Sequence, residues 1–146
     1  RTPLALTVHC RFPMPEERPA RPILIVDDDD ALREVLATAL SGEGREIDGA
    51  SDGTVALALL EQQPYDLVLS DLRMPCVDGP TLYETLRTRH HFPVRFATKL
   101  PRVIFMTGNA SEHTEFLRGT TDPILEKPFP LRVIRQMVSV LLAASS

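Results

Sequence analysis

Residues 64–75 are Pro64-Tyr65-Asp66-Leu67-Val68-Leu69-Ser70-Asp71-Leu72-Arg73-Met74-Pro75, an apolar run that ends in a carboxylate and is followed by a proline. Leu67, Val68 and Leu69 do not alternate with polar residues, which is typical of a strand covered on both faces in a parallel sheet. Asp71 then lies at the carboxyl end of the strand, where open α/β sheets bind their ligands. The sequence therefore predicts a chemical role for Asp71. The residues at the ends of the other strands indicate what that role is.

The rest of the chain alternates similar strands with helices. Apolar runs at residues 23–26, 46–50, 103–106 and 123–126 predict four more strands, of which 46–50 is the weakest. Apolar residues at helical spacing predict helices over about 30–40, 53–60, 80–90, 111–118 and 131–142. Five strands alternating with five helices, joined by right-handed crossovers, predict an α/β fold with a parallel sheet covered on both faces.

The composition argues against several classes of function. A length of 146 residues suggests one domain, and 25% charged with 43% hydrophobic residues is typical of a globular chain. The formal charge of −4 gives no reason to expect nucleic-acid binding, and no apolar stretch is long enough to span a membrane. Cys10 and Cys76 lack the CxxC spacing of a zinc site. We expect a cytoplasmic domain without membrane contact.

Residues 1–21 differ from the rest of the chain. Residues 2–10 have the pattern of one strand, and Pro13, Pro15 and Pro19 then keep the chain extended and prevent a helix. We interpret residues 1–21 as an extension or linker whose first part is a remnant of a preceding domain, and residues 22–146 as the folded domain. On this interpretation the sequence begins in mid-protein.

Polar residues stand at the ends of four predicted strands: Asp27 and Asp28 after the first, Asp71 on the third, Thr107 after the fourth and Lys127 after the fifth. Clustered carboxylates are the ligands that Mg²⁺ prefers, and a hydroxyl and an ammonium suit the oxygens of a phosphoryl group. The set predicts phosphoryl transfer with Asp71 as the nucleophile. The alternatives are helix capping by the aspartates, a turn hydroxyl at Thr107 and a solvated ammonium at Lys127.

These motifs resemble a known family. Asp27-Asp28 after an apolar strand, Asp71 followed by Leu-Arg-Met-Pro, Thr107-Gly108 and Lys127-Pro128 resemble the receiver domain of two-component response regulators, over about residues 22–143. The resemblance implies a flavodoxin-like, or CheY-like, fold with five parallel strands in the order 2-1-3-4-5. It also implies a domain that catalyses its own phosphorylation and dephosphorylation, and a cis peptide bond before Pro128.

The resemblance implies a role for each residue of the candidate site. A phosphoryl group from the phosphohistidine of a histidine kinase or a histidine phosphotransfer domain would pass to Asp71. The implied ligands of Mg²⁺ are Asp28, Asp71 and the backbone carbonyl of Arg73, with Asp27 acting through water, while Thr107 is the implied switch hydroxyl and Lys127 the phosphate-pairing lysine.

A finer resemblance and three alternatives accompany this interpretation. Residues 105–108, 116–117 and 124–129 resemble receivers at the C-terminus of hybrid sensor histidine kinases. A receiver-like docking module that is not phosphorylated is the main alternative, although the site residues are all present. A haloacid-dehalogenase-like phosphatase fits less well, because that family carries its nucleophilic aspartate on the first strand. A transcription factor is not expected, because the last predicted helix ends near Ala144.

Two residues depart from the usual pattern of the family. Ile124 stands three positions before Lys127, where receivers with an aromatic switch have tyrosine or phenylalanine. We therefore predict that phosphorylation changes the domain modestly, through Thr107 and the helix after it. Arg73, two residues after Asp71, borders the predicted phosphoryl site, and we expect it to slow or steer hydrolysis of the phosphoryl group.

Overall fold

The structure, a computed structural model, describes residues 20–73, 78–88, 101–120 and 122–144. One sheet of five parallel strands runs through it, in the order β2-β1-β3-β4-β5. The strands are β1 (Ile23–Val26), β2 (Ile47–Ala50), β3 (Leu67–Asp71), β4 (Arg102–Thr107) and β5 (Ile124–Glu126). The predicted α/β class and strand order are confirmed. Predicted features at residues 1–19 and 74–76, and the end of the predicted helix at residues 89–90, lie outside the described residues.

Among the described residues, five α-helices accompany the strands: α1 (Asp30–Leu40), α2 (Gly53–Gln62), α3 (Gly79–Thr88), α4 (Thr114–Arg118) and α5 (Leu131–Ala144). Asp29 caps α1 by accepting a hydrogen bond from the N–H of Leu32 at 3.1 Å. Asp52 caps α2 in the same way, with the N–H of Val55 at 2.9 Å. In the described part of the chain, no helix is both long and apolar enough to cross a membrane.

The central strands are buried on both faces, as their unbroken apolar pattern predicts. On one face Ile25 and Leu69 pack with buried residues of α1 and α5, and on the other Leu24 and Val68 pack with those of α2 and α3. These four side chains expose at most 1% of their surface. Because both faces of β1 and β3 are covered, only the strand ends are open to a ligand.

The helices differ from the prediction in two ways. Val35 of α1 and Val55 of α2 have helical apolar spacing, yet they are 46% and 41% exposed. The helix predicted over 111–118 begins as a 3₁₀ turn (Ala110–His113), and only Thr114–Arg118 is α-helical. Apolar spacing locates a helix, but it does not record which side chains a neighbouring element covers or how the first turn is wound.

Arg21, the residue directly before the predicted domain boundary, is anchored to the sheet. Its N–H donates to the carboxylate of Asp66 at 3.2 Å, and Arg45 donates to the carbonyl oxygen of Arg21 at 2.9 Å. Arg45 and Asp66 also form an ion pair. The chain therefore enters the fold at a fixed point, beside the start of β3.

Gly79, the first residue of α3, lies directly against the end of β3. A Cβ atom added there would lie 2.4 Å from the carbonyl oxygen of Asp71 and 2.7 Å from the Cα atom of Leu72. Both are backbone atoms, which cannot rotate away as a side chain can, so only glycine allows this close approach. The contact sets the distance between α3 and the residues at the strand end.

Replacing Gly79 by alanine should destabilise the domain. The added methyl group would push α3 away from Asp71, and overpacking of this kind costs about 1–3 kcal/mol. Urea unfolding should therefore show a fall of about 2 kcal/mol in the free energy of unfolding. Gly42→Ala is the matched control, because a Cβ atom at Gly42 meets nothing within 4 Å. Equal stability of the two variants would contradict the close contact.

Candidate functional site

Four strands bring polar side chains to the same edge of the sheet. Asp27 follows β1, Asp71 ends β3 and Thr107 ends β4. Lys127 directly follows β5, and the carboxyl ends of parallel strands meet at one edge. Asp27, Asp71 and Thr107 are only 0%, 7% and 2% exposed. The structure therefore brings these predicted residues together and buries three of them.

The ammonium of Lys127 joins the two buried carboxylates. Its Nζ atom donates to Oδ2 of Asp27 at 2.8 Å and to Oδ2 of Asp71 at 3.0 Å. The backbone N–H of Lys127 donates to the carbonyl oxygen of Thr107 at 2.7 Å. The peptide bond between Lys127 and Pro128 is cis, as the resemblance implies. One cation thus bonds carboxylates from two different strands.

Burial and charge act together on Asp71 and Lys127. Burial raises the pKa of Asp71 above the ordinary carboxyl value, the hydrogen bond from Lys127 opposes this, and the charge of Asp27 adds to the rise. Burial lowers the pKa of Lys127, but its hydrogen bonds with the two carboxylates outweigh that effect and raise the pKa overall. Lys127 therefore remains a cation, while the ionised form of Asp71 is held at a cost in free energy.

Three carboxylates lie close enough to share one cation. One oxygen each from Asp27, Asp28 and Asp71 lie within 4.8 Å of one another, and Asp28 is exposed to solvent. Oδ1 of Asp27 accepts a hydrogen bond from the N–H of Asp29 at 2.9 Å, and Oδ2 bonds Lys127. Both oxygens of Asp71 also accept hydrogen bonds, from the N–H of Arg73 at 3.2 Å and from Lys127, so hydrogen bonding does not distinguish these two carboxylates. An all-oxygen donor set with surplus negative charge suits a hard cation such as Mg²⁺.

A cavity of about 580 Å³ opens at this edge of the sheet. Its lining includes Asp28, Asp71, Thr107, Lys127, Arg73 and Glu112. A larger groove of about 760 Å³ lies between α1 and α5, and its lining includes none of the charged strand-end residues. The smaller cavity is the candidate site, because Asp28, Asp71 and the ammonium of Lys127 line it.

Arg73 and Glu112 form an ion pair beside this cavity. The side chain of Arg73 is 74% exposed. Asn109 donates to the other carboxylate oxygen of Glu112 at 3.0 Å. The pair joins the segment after β3 to the turn after β4. The sequence predicts Arg73 beside the site, but it contains no motif that marks Glu112.

Comparison with known proteins identifies the family. Residues 23–139 match the family described as response regulator receiver domain. The response regulator protein FleR of Pseudomonas aeruginosa is 34% identical over 121 residues, which are 82% of this chain and 24% of FleR. The sensor histidine kinase RcsC of Escherichia coli is 40% identical over 120 residues, which are 81% of this chain and 12% of RcsC. The chain therefore spans a quarter or less of the length of these two relatives.

Solved structures share the fold. The receiver domain of a sensor histidine kinase from Pseudomonas aeruginosa, with a magnesium ion coordinated in its active-site cleft, is 25% identical. It matches with a TM-score of 0.71 over 86% of this chain and 99% of that domain. The response regulator TrrA of Thermotoga maritima, in complex with Mg²⁺ and BeF, is 29% identical, with a TM-score of 0.69 over 83% of this chain and 98% of that one. The chain therefore belongs to the response regulator receiver domain family, the phosphoaccepting domains of two-component signalling.

Proposed function

We propose that Asp71 is the residue that accepts the phosphoryl group in this receiver domain. The observation that carries the proposal is the pair of hydrogen bonds from Lys127 to the buried carboxylates of Asp71 and Asp27. A phosphoryl group formed on Asp71 would have a cation beside it, and that cation is already oriented by a second carboxylate. Charge-assisted hydrogen bonds of this kind are the strong ones in a partly dry site.

The residues around Asp71 suit attack on a phosphohistidine. An oxygen of Asp71 would form the new O–P bond while the P–N bond breaks, and the imidazole would keep the electron pair. Lys127 would then move one hydrogen bond to a phosphoryl oxygen. Oγ of Thr107 accepts a hydrogen bond from the N–H of Asn109 at 3.1 Å, which leaves the hydroxyl hydrogen to donate to another phosphoryl oxygen.

The acidic residues would hold Mg²⁺ beside Asp71. The proposed direct ligands are Asp28, Asp71 and the backbone carbonyl of Arg73. Asp27 would act through water, because it is fully buried and does not line the cavity, whereas Asp28 and Asp71 do. Bound Mg²⁺ neutralises negative charge on the carboxylates and on the phosphoryl oxygens. The all-oxygen donor set and the similarity to magnesium-containing receiver structures support this assignment.

Partners and parent protein belong to the same proposal. The phosphoryl donor would be a histidine kinase or a histidine phosphotransfer domain, and the domain would act in the cytoplasm without nucleic-acid or membrane contact. Similarity to RcsC supports an origin as the C-terminal receiver of a hybrid kinase, with residues 1–21 as a linker and 22–146 as the receiver. Similarity to FleR supports the other arrangement, a receiver within a response regulator.

Ile124 is not aromatic and therefore cannot act as an aromatic switch, but three aromatic residues pack nearby. The ring centroids of Tyr83, Phe105 and Phe116 lie 5.0 Å, 5.1 Å and 5.6 Å apart in edge-to-face contacts. Phe105 precedes Thr107 by two residues on β4, and Phe116 lies on α4. A movement of Thr107 would therefore be resisted by a packed aromatic cluster. This supports the prediction of a modest structural response to phosphorylation.

Incubation with phosphoramidate and Mg²⁺, followed by intact-mass measurement, tests the proposed function. The wild type should gain one phosphoryl group, and Asp71→Asn should gain none, because an amide does not form an acyl phosphate this way. Asp52→Asn is the matched control, since Asp52 caps α2 outside the cavity and asparagine caps helices about as well. A wild type that gains no phosphoryl group would favour the docking module instead.

Asp71→Asn should also stabilise the domain in metal-free buffer near neutral pH. Burial disfavours the ionised carboxyl and raises its pKa, whereas the amide is neutral. Its oxygen still accepts a hydrogen bond from Lys127, and only the longer hydrogen bond from the N–H of Arg73, at 3.2 Å, is lost. Below the ordinary carboxyl pKa of 3.8, Asp71 is neutral in both folded and unfolded chains. The advantage of the amide should therefore vanish below pH 3.8, grow as the pH rises from there to the raised pKa of the folded carboxyl, and stay constant above it. Urea unfolding at several pH values measures the difference in stability between the wild type and Asp71→Asn. A less stable Asp71→Asn variant at pH 7 would contradict the free-energy cost of the ionised carboxyl.

Phosphorylation should alter amide hydrogen exchange modestly, and mainly within residues 108–118. Ile124 is 36% exposed and has no ring that could move between a buried and an exposed position. Mass-spectrometric exchange with and without phosphoramidate measures the response, with Asp71→Asn as the control for effects of the reagent. Large changes across residues 108–125 in the wild type would show that the domain rearranges more than its sequence predicts.

A further inference from the structure

The side chain of Arg33, near the start of α1, folds back onto the end of β1. Its Nη1 atom donates to the backbone carbonyl oxygen of Asp27 at 2.7 Å, and Nη2 donates to Oδ1 of Asp30 at 2.7 Å. The Arg33 side chain is 23% exposed and that of Asp30 is 86% exposed. The guanidinium of Arg33 therefore bonds both the main chain of the buried Asp27 and the solvent-facing carboxylate of Asp30. The carboxylate of Asp30 holds the guanidinium in place.

A glycine on the edge strand makes room for Arg33. Gly49 of β2 lies opposite Ile25 of β1. A Cβ atom added at Gly49 would lie 3.4 Å from both Cδ and Nε of Arg33. The arginine side chain thus passes directly over this glycine, and because a Cβ atom alone would already touch it, we expect the two additional methyl groups of a valine to displace it. The arrangement depends on the start of α1, the end of β1 and one residue of β2.

The hydrogen bond from Arg33 holds the peptide group between Asp27 and Asp28. The N–H of Asp27 donates to the carbonyl oxygen of Ala50 at 3.1 Å, just beyond the last strand pair of β1 and β2. Arg33 binds the carbonyl oxygen of the same residue, so the main chain is fixed on both sides although the strand has ended. Asp28 is exposed, and the direction of its side chain depends on this peptide plane.

We propose that Arg33 is a positioning residue of the acidic pocket. By holding the carbonyl of Asp27, it keeps the carboxylate of Asp28 where it can share a cation with Asp71. The proposal rests on the proposed function, in which Asp28 and Asp71 are direct ligands of Mg²⁺. Arg33 acts through the main chain and is not itself a ligand. Residues that orient metal ligands in this way contribute about 10- to 100-fold to metal affinity.

The charge of Arg33 has the opposite effect on a cation. A guanidinium near the pocket repels Mg²⁺, so removal of the charge alone would strengthen binding. Arg33→Lys separates the two effects, because lysine keeps the charge but lacks the planar fork that serves Asp27 and Asp30 together. If positioning dominates, Arg33→Lys and Arg33→Met both weaken Mg²⁺ binding. If charge dominates, Arg33→Met strengthens it.

Calorimetric titration of the unphosphorylated domain with MgCl₂ tests this proposal. The Kd should rise roughly tenfold in Arg33→Met, and by a smaller factor in Arg33→Lys. Gly49→Val should also weaken binding, because it displaces an intact Arg33. Arg135→Met is the matched control, since it removes a cation from the groove between α1 and α5. Urea unfolding in Mg²⁺-free buffer identifies any variant whose loss of affinity comes from loss of folding.

Two results would overturn the positioning role. One is Mg²⁺ binding by Arg33→Met that equals or exceeds that of the wild type, and the other is a weakening that Arg135→Met shares. The phosphoramidate experiment separates failure of the positioning role from failure of the proposed function. If the wild type binds Mg²⁺ but gains no phosphoryl group, the role of Asp71 is wrong, while the role of Arg33 is still decided by the titration.

Discussion

The hydrogen bonds from Lys127 to Asp27 and Asp71 are the interaction on which the site depends. As whole residues, Asp27 and Asp71 are 0% and 7% exposed, and buried ionised carboxylates need a cation. The strand order places β1 and β3 side by side, with β4 between β3 and β5. Lys127 reaches both carboxylates from the turn after β5, where its N–H is bonded to the carbonyl of Thr107. The fold therefore places the ammonium of Lys127 where these two carboxylates share it.

The site carries more negative than positive charge. This excess lowers the stability of the domain, and it also favours the binding of a cation. Burial raises the pKa of Asp71, so its ionised form lowers the stability of the domain. In the proposed function, the same surplus charge attracts a hard cation and Lys127 binds a phosphoryl oxygen. Main-chain contacts hold the acidic residues against their mutual repulsion: Gly79 lets α3 start against Asp71, and Arg33 bonds the carbonyl of Asp27. The pocket is shaped as much by these contacts as by its carboxylates.

How much of this arrangement the sequence predicts differs between residues. The position of Asp71 is predictable because Leu67, Val68 and Leu69 form an unbroken apolar run that ends in polar residues, with Pro75 soon after. The position of Lys127 at the site is predictable because the residue directly follows a strand. Its hydrogen bonds to two carboxylates are not predictable from the sequence. Arg33 and Glu112 are not predictable, because their contacts depend on how a helix and a turn pack against the strand ends. Val35 is exposed despite helical apolar spacing for the same reason: periodicity does not record which neighbour covers a side chain.

Reduction of the phosphorylated domain with borohydride tests the central claim most directly. Borohydride reduces an acyl phosphate to an alcohol with release of phosphate, so a phosphorylated aspartate becomes homoserine and a free carboxylate is unchanged. After treatment with phosphoramidate and Mg²⁺, peptide mass mapping should find homoserine in place of Asp71 and at no other aspartate, and should find none when Mg²⁺ is withheld. Homoserine in place of Asp27 or Asp28, or a phosphoryl group retained on a histidine, would contradict Asp71 as the acceptor.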